Sequence, residues 1–223
     1  MTKKILFIVS SAASIGPKNR KTGNFLPEVS HPYSAFVEQG YYVDFASVRG
    51  GSAPLDGTDL LDDPLNKSFM EGEGAKSFAA TQEIASVDTK SYDAIFIPGG
   101  LGPMVDMPDN KIVQDAIVDT YERDAVVGAV CHGPVSLLNV NLSDGSALID
   151  GKTIASFTNE EEEGYAKEDV PFLLESALKE KGAKFISVAP WQPNSIADGK
   201  LVTGQNPASA IGVAEKMIGI LEN

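Results

Sequence analysis

The chain has 223 residues, 43% of them hydrophobic and 22% charged, and its 31 Asp and Glu against 18 Lys and Arg give a formal net charge of −13. That length fits one large α/β domain or two small ones, the apolar fraction supports a sizeable core, and global disorder is excluded. A surface this negative repels phosphate backbones and anionic lipid, so no nucleic-acid or membrane partner is expected and the acidity serves solubility.

The N-terminus, MTKKILFIVSSAAS, places two lysines before a short apolar run. This superficially resembles a signal peptide, but Lys3 to Val9 is only a strand's length, and a buried first strand explains it better. No apolar run approaches the ~20 residues needed to span a bilayer. A single cysteine cannot form an internal disulfide, which suits a reducing compartment, so a cytoplasmic protein is expected.

In chain order, KILFIVS (4–10), YVDFAS (42–47), DAIFIPGG (93–100) and AVVGAVC (125–131) have the continuous hydrophobicity of strands covered on both faces. Between them lie helical patterns. After a long loop at 11–27, Val29, Tyr33, Phe36 and Val37 fall at helical spacing and Gly40 is a natural stop. A Gly/Ser/Asp-rich stretch covers 50–63. Residues 110–123 put Ile112, Val113, Ala116, Ile117 and Val118 largely on one side. A helix at 171–183, a strand KFISV at 184–188, a short strand KLVTG at 200–204 and a C-terminal helix from about Pro207 to Leu221 follow. Strands alternating with helices predict a parallel sheet with helices on both faces. No segment reads as an interdomain linker, so residues 1–223 are expected to form a single domain. The long loops sit at strand ends, where open α/β sheets place their ligands.

The single cysteine lies in GAVCHGPVSLL (128–138). Cys131 ends a strand, Gly133-Pro134 turns the chain, and a helix-compatible run follows, which is the order of a nucleophile elbow. Such a turn lifts the thiol out of the sheet, and free N–H groups of the next helix would favour thiolate. A buried, inert cysteine remains the structural alternative. His132 is adjacent in sequence, so on a regular strand it would face the opposite way, an objection that weakens at a tight turn. A histidine base also needs an orienting carboxylate. FTNEEEEG (157–164) supplies several at a helix start, three of which are expected to be merely solvated. PGGLGP (98–103) follows a strand and offers backbone N–H donors at Gly99 and Gly100 for an oxyanion. Glu28 sits at a helix start, where complementing the helix dipole already accounts for it.

PEVSHP, FASVRGG, FIPGGLGPM, AVCHGP, GKTIASFTNEEEE, PFLLESALKEKGAKF and DGKLVTGQNPAS together resemble, in order and spacing, the ThiJ/PfpI superfamily, which has the class I glutamine amidotransferase-like fold. Within it they resemble the heat-shock-chaperone-like glyoxalase III branch. The resemblance covers nearly the whole chain and rests most specifically on AVCHGP and TGQNPAS. It implies a flavodoxin-like three-layer α/β sandwich with a mainly parallel central sheet, usually a homodimer. It also implies a catalytic Cys131 with His132, Glu28 hydrogen-bonded to the thiol, and an acid from FTNEEEE. Counted from the phenylalanine, that acid is Glu162, with Glu161 and Glu163 as alternatives. Many relatives carry a histidine where this chain has Leu101, so one polar contact to substrate is expected to be missing. Larger chaperone relatives carry a histidine-containing zinc site. With only His31 and His132 present, no metal site is expected here, nor any other cofactor.

The function implied is glutathione-independent conversion of methylglyoxal or a related 2-oxoaldehyde to the 2-hydroxy acid, D-lactate in the family. Cys131 would form a hemithioacetal and His132 would move the proton. An amidase, peptidase or protein deglycase using the same thiol is the nearest alternative. A glutaminase subunit is disfavoured because no histidine follows position 132. A stress-responsive holdase chaperone or redox sensor is the alternative from another class.

Overall fold

The computed structural model describes residues 2–223. Its centre is a seven-stranded sheet of β1 (Lys4–Val9), β2 (Tyr42–Ser47), β3 (Gln82–Glu83), β4 (Ala94–Ile97), β5 (Val126–Val130), β6 (Ser195–Asp198) and β7 (Leu201–Gly204). The spatial order is β6-β7-β5-β4-β1-β2-β3, and every adjacent pair is parallel except β6–β7 at one edge. The α-helices among the described residues are α1 (Leu26–Glu38), α2 (Pro64–Glu71), α3 (Glu73–Phe78), α4 (Pro103–Asp106), α5 (Lys111–Glu122), α6 (Asn159–Glu163), α7 (Leu174–Glu180) and α8 (Ala210–Leu221).

The strand KILFIV is apolar at almost every position because helices cover both sheet faces, and successive side chains enter different layers. Ile5, Phe7 and Val9 pack with Leu26, Val29 and Phe36 of α1 and with Val213, Ala214 and Met217 of α8. Leu6 and Ile8 join Val113 and Ile117 of α5 and Leu174 and Leu178 of α7 on the other face. Phe7 is the hub of the first layer, with ring centroids 4.8 Å from Phe96 and 5.1 Å from Phe45. Gly128 in β5 leaves the space that the Met217 thioether fills.

The expected parallel α/β sandwich is present, with local corrections. The strand expected at 184–188 is only Lys184–Phe185, which pairs with Thr153–Ile154 outside the main sheet. Beyond it Ile186 and Val188 face solvent, so their hydrophobicity does not report a sheet position. The sheet edge is taken instead by β6, SIAD, too polar to register as an apolar run. The helix expected from Pro207 begins as a 3₁₀ turn, Pro207–Ser209, before α8. The helix expected at 171–183 is confined to α7.

This topology fixes where a ligand can sit. The chain runs outward through β1, β2 and β3, then returns to the other side of β1 as β4. The switch point therefore lies between β1 and β4, and the segments after β1, β4 and β5 open into one crevice at the strands' carboxyl ends. No helix among the described residues is long and apolar enough to cross a membrane.

Candidate active site

Cys131 is the first residue after β5 and adopts φ +61°, the left-handed region that β-carbon-bearing residues avoid. Holding it there costs about 1–3 kcal/mol and requires firm surroundings. The Cys131 N–H donates to the Gly204 carbonyl, and its own carbonyl accepts from the Phe157 N–H, each at 2.9 Å. A 3₁₀ turn, Gly133–Leu137, follows with Pro134 at its start. A side chain at Gly133 would strike the Ile97 and Pro98 carbonyls, so only glycine lets this turn close onto the end of β4. The thiol faces a cavity of about 100 Å³ whose polar wall is Glu28, Gly100 and His132 and whose apolar wall is Phe25, Phe157, Tyr165, Trp191 and Pro207.

The sharp turn lets His132 face its sequence neighbour. Its Nδ1 lies 3.4 Å from the Cys131 sulfur, and its Nε2 lies 2.7 Å from Oε2 of Glu162. The ring is fully buried and packs against Phe157 at 4.4 Å between centroids. A neutral ring that donates from Nε2 to Glu162 presents the lone pair of Nδ1 to the thiol. Of the glutamate run, Glu160 and Glu163 are exposed, and Glu163 pairs with Lys167 at 2.8 Å. Glu161 is buried, contrary to the expectation of three solvated glutamates. It closes a capping box with Thr158 and bonds the 191–206 region instead.

Glu28, just past Pro27 in the first turn of α1, is completely buried. Its Oε2 accepts from the Gly99 N–H at 2.7 Å. A β-carbon on Gly99 would collide with that oxygen, with the Cys131 β-carbon at 2.8 Å and with the His132 nitrogen at 2.8 Å. Gly99 is thus the point where three segments converge. Its N–H is engaged by Glu28, which leaves Gly100, at φ +85°, as the cavity-lining member of the two glycines expected to serve an oxyanion.

Burial raises the Glu28 pKa to about 8, with the neighbouring Cys131 thiol and the Gly99 N–H pulling it part of the way back. Glu28 is accordingly a neutral acid at pH 7. Burial also pushes the Cys131 thiol well above its ordinary range, and an ionised Glu28 adds to that push, while the Gly100 and His132 N–H groups oppose it. The expectation of a thiolate favoured by a following helix is therefore corrected. The next element is a short 3₁₀ turn, and desolvation outweighs its N–H groups. The thiol rests protonated and has a base, His132 Nδ1, within reach.

Leu101 lies apart from the cavity. Its side chain is fully buried in the layer containing Met104, Val113 and Val135. His31 pairs with Asp63 at 3.0 Å on the outer part of α1. No group of three or more His, Cys, Asp or Glu side chains suited to a metal ion occurs among the described residues. Sequence reasoning missed the aromatic wall of Phe25, Phe157, Tyr165 and Trp191, because aromatics on scattered loops carry no periodicity.

The model of the DJ-1/PfpI family matches residues 26–219. The chain is 33% identical over 240 aligned residues to the glutathione-independent glyoxalase HSP31 of Saccharomyces cerevisiae, covering 99% of each. Among solved structures it is similar to the Rapid Encystment Protein 24 kDa of Francisella tularensis, with TM-score 0.95, 35% identity and 100% of each chain covered. It is also similar to glyoxalase III of Candida albicans, with TM-score 0.87, 30% identity, and 98% of this chain and 97% of that one covered.

Proposed function

The chain belongs to the DJ-1/PfpI family, and from that premise we propose that it is a glutathione-independent glyoxalase, acting as one domain over residues 1–223. The observation that carries the reading is the buried Cys131–His132–Glu162 relay facing a cavity of about 100 Å³ beside a neutral Glu28. A cavity of this size beside the thiol accommodates a small oxoaldehyde.

In the proposed reaction the Cys131 sulfur attacks the aldehyde carbon of methylglyoxal while His132 Nδ1 accepts the thiol proton. The carbonyl oxygen becomes the hydroxyl of a hemithioacetal, stabilised by the Gly100 N–H and the Glu28 acid proton. His132, having passed the thiol proton to that hydroxyl, removes the proton from the former aldehyde carbon to give an enediolate. The hydroxyl proton moves to the neighbouring enolate oxygen by way of the Glu28 carboxyl, and His132 returns its proton to the adjacent carbon. The result is a 2-hydroxy thioester on Cys131. Water cleaves the thioester, releasing D-lactate and restoring the thiol, so the net change is addition of one water to methylglyoxal. Glu162 orients His132 and stabilises it while it holds the proton. No step needs glutathione or a resident cofactor. The same reading makes the enzyme a cytoplasmic, homodimeric scavenger of reactive aldehydes.

The test supplies methylglyoxal without glutathione and measures D-lactate for the wild type, Cys131→Ala and Glu28→Gln. Turnover by the wild type, abolished in Cys131→Ala and reduced at least about a hundredfold in Glu28→Gln, is expected. An inactive wild type that suppresses client-protein aggregation equally well as Cys131→Ala would replace this reading with the chaperone.

A further inference from the structure

Trp191 stands apart from the other aromatic residues of the cavity. Phe157 is buried behind His132, and Tyr165 is braced from outside by Arg20, whose guanidinium lies 4.7 Å over its ring. Arg20 Nη1 also donates to the Tyr165 carbonyl at 3.0 Å and to Asp169 at 3.1 Å. Trp191 is 50% exposed, yet its ring lines the cavity and packs edge-on against Phe157 at 5.4 Å and Tyr165 at 6.3 Å. A half-exposed side chain thus forms part of both the cavity wall and the protein surface.

Its backbone is held in an unfavourable conformation. Trp191 has φ +63°, a left-handed geometry that persists only where the surroundings over-determine it. The surroundings are the buried carboxyl group of Glu161. Its Oε1 accepts from the Trp191 N–H at 2.7 Å, from Asn206 Nδ2 at 2.8 Å and from Gln205 Nε2 at 3.3 Å. Its Oε2 accepts from the Thr158 N–H at 3.0 Å and from the Thr158 hydroxyl at 2.9 Å. Asn206 Nδ2 also donates to the Gln192 carbonyl at 2.8 Å, tying down the other side of the turn. Adjacent residues of α6 therefore face two ways, Glu162 to His132 and Glu161 to the Trp191 turn.

We propose that Trp191 is the size gate of the cavity and that Glu161 is the positioning residue that holds it closed over Cys131, restricting the enzyme to small aldehydes. The substrate arm of this proposal rests on the glyoxalase reading. The access arm does not, because Cys131 is the chain's single cysteine and Trp191 its single tryptophan, so alkylation and intrinsic fluorescence each report one residue.

The experiment compares wild type, Trp191→Ala and Glu161→Gln. Alkylation of Cys131 is timed with iodoacetamide and with a fluorescein-bearing iodoacetamide, and kcat/KM is measured for methylglyoxal and phenylglyoxal. Both variants are expected to lower the preference for the small reagent, and for the small substrate, by about tenfold or more. In Glu161→Gln the tryptophan emission shifts to the red and acrylamide quenches it more strongly, changes that altered chemistry at the thiol alone would not produce. If Glu161→Gln does not fold, Asn206→Ser, which shortens the second tie and keeps the buried carboxyl, must shift the preference the same way. Unchanged size preference in Trp191→Ala overturns the gate. A shifted preference in Trp191→Ala with unchanged emission and preference in the folded Glu161 or Asn206 variant overturns the clamp. A wild type inactive on methylglyoxal whose alkylation preference still collapses in Trp191→Ala removes the glyoxalase reading and retains the gate.

Discussion

At the scale of single residues, Glu28 shows how far environment can outrun sequence. Its position at a helix start is explained equally well by dipole complementarity, and nothing in LPEVSHP reveals that the side chain turns inward. Only the convergence of α1 with the Gly99 turn and the Cys131 elbow makes it a buried acid with a pKa of about 8. Because the proposed chemistry uses its protonated form, kcat/KM should fall above about pH 8, when Glu28 ionises and its charge opposes both the sulfur and the developing oxyanion. A pH–rate profile checks this. Glu28→Gln, although much slower, should lack that alkaline limb. The turn at Cys131 was legible because it is encoded locally, in a strand end followed by Gly133 and Pro134, whereas the pairing of the thiol with His132 was implied only by the resemblance. Glu162 required counting along a resembling motif, since four consecutive glutamates are locally indistinguishable.

Elements act here through their ends. Strand β5 delivers Cys131 in a left-handed conformation that a thiol-bearing residue tolerates only under restraint from the Gly204 carbonyl and the Phe157 N–H. Removing the thiol therefore has different consequences depending on what replaces it. Cys131→Gly should unfold at higher denaturant than Cys131→Ala, by about 1 kcal/mol, although both lack the nucleophile and both lose packing. Equilibrium urea titration of the two proteins checks the difference. The five-residue helix α6 is too short to be stable alone, and its capping box and the two buried glutamates anchor it on opposite sides. Its helical start was readable from TNEEEE. The division of labour between Glu161 and Glu162 was not, because it depends on residues 191–206, about thirty to forty-five positions away.

For the whole molecule, the apolar strands and their order of appearance carry the architecture. β1, β2, β4, β5 and β7 were legible because burial on both faces writes hydrophobicity without interruption. The two-residue β3 and the polar β6 were not, because edge strands need not be apolar, and Ile186 and Val188 mimic a strand while facing solvent. The layers fit closely where α8 crosses β5. Met217 occupies the space above Gly128, and Phe96 flanks it. Gly128→Ala should overpack this contact and destabilise the protein by about 1–3 kcal/mol, measured by chemical denaturation, with turnover per folded molecule largely retained because the cavity is lined by other residues.

The neutral acid at Glu28 also makes folding itself a proton-consuming reaction. Near pH 7 the unfolded chain carries this side chain ionised, its ordinary pKa being 4.5, whereas the native state holds it protonated up to about 8. Its contribution to stability is fully present below pH 4.5 and is lost progressively as pH rises through the folded value. Within that window each molecule that folds withdraws up to one proton from its buffer through this side chain. Unfolding heats measured by calorimetry will consequently depend on the buffer's own ionisation enthalpy, and that dependence should shrink in Glu28→Gln.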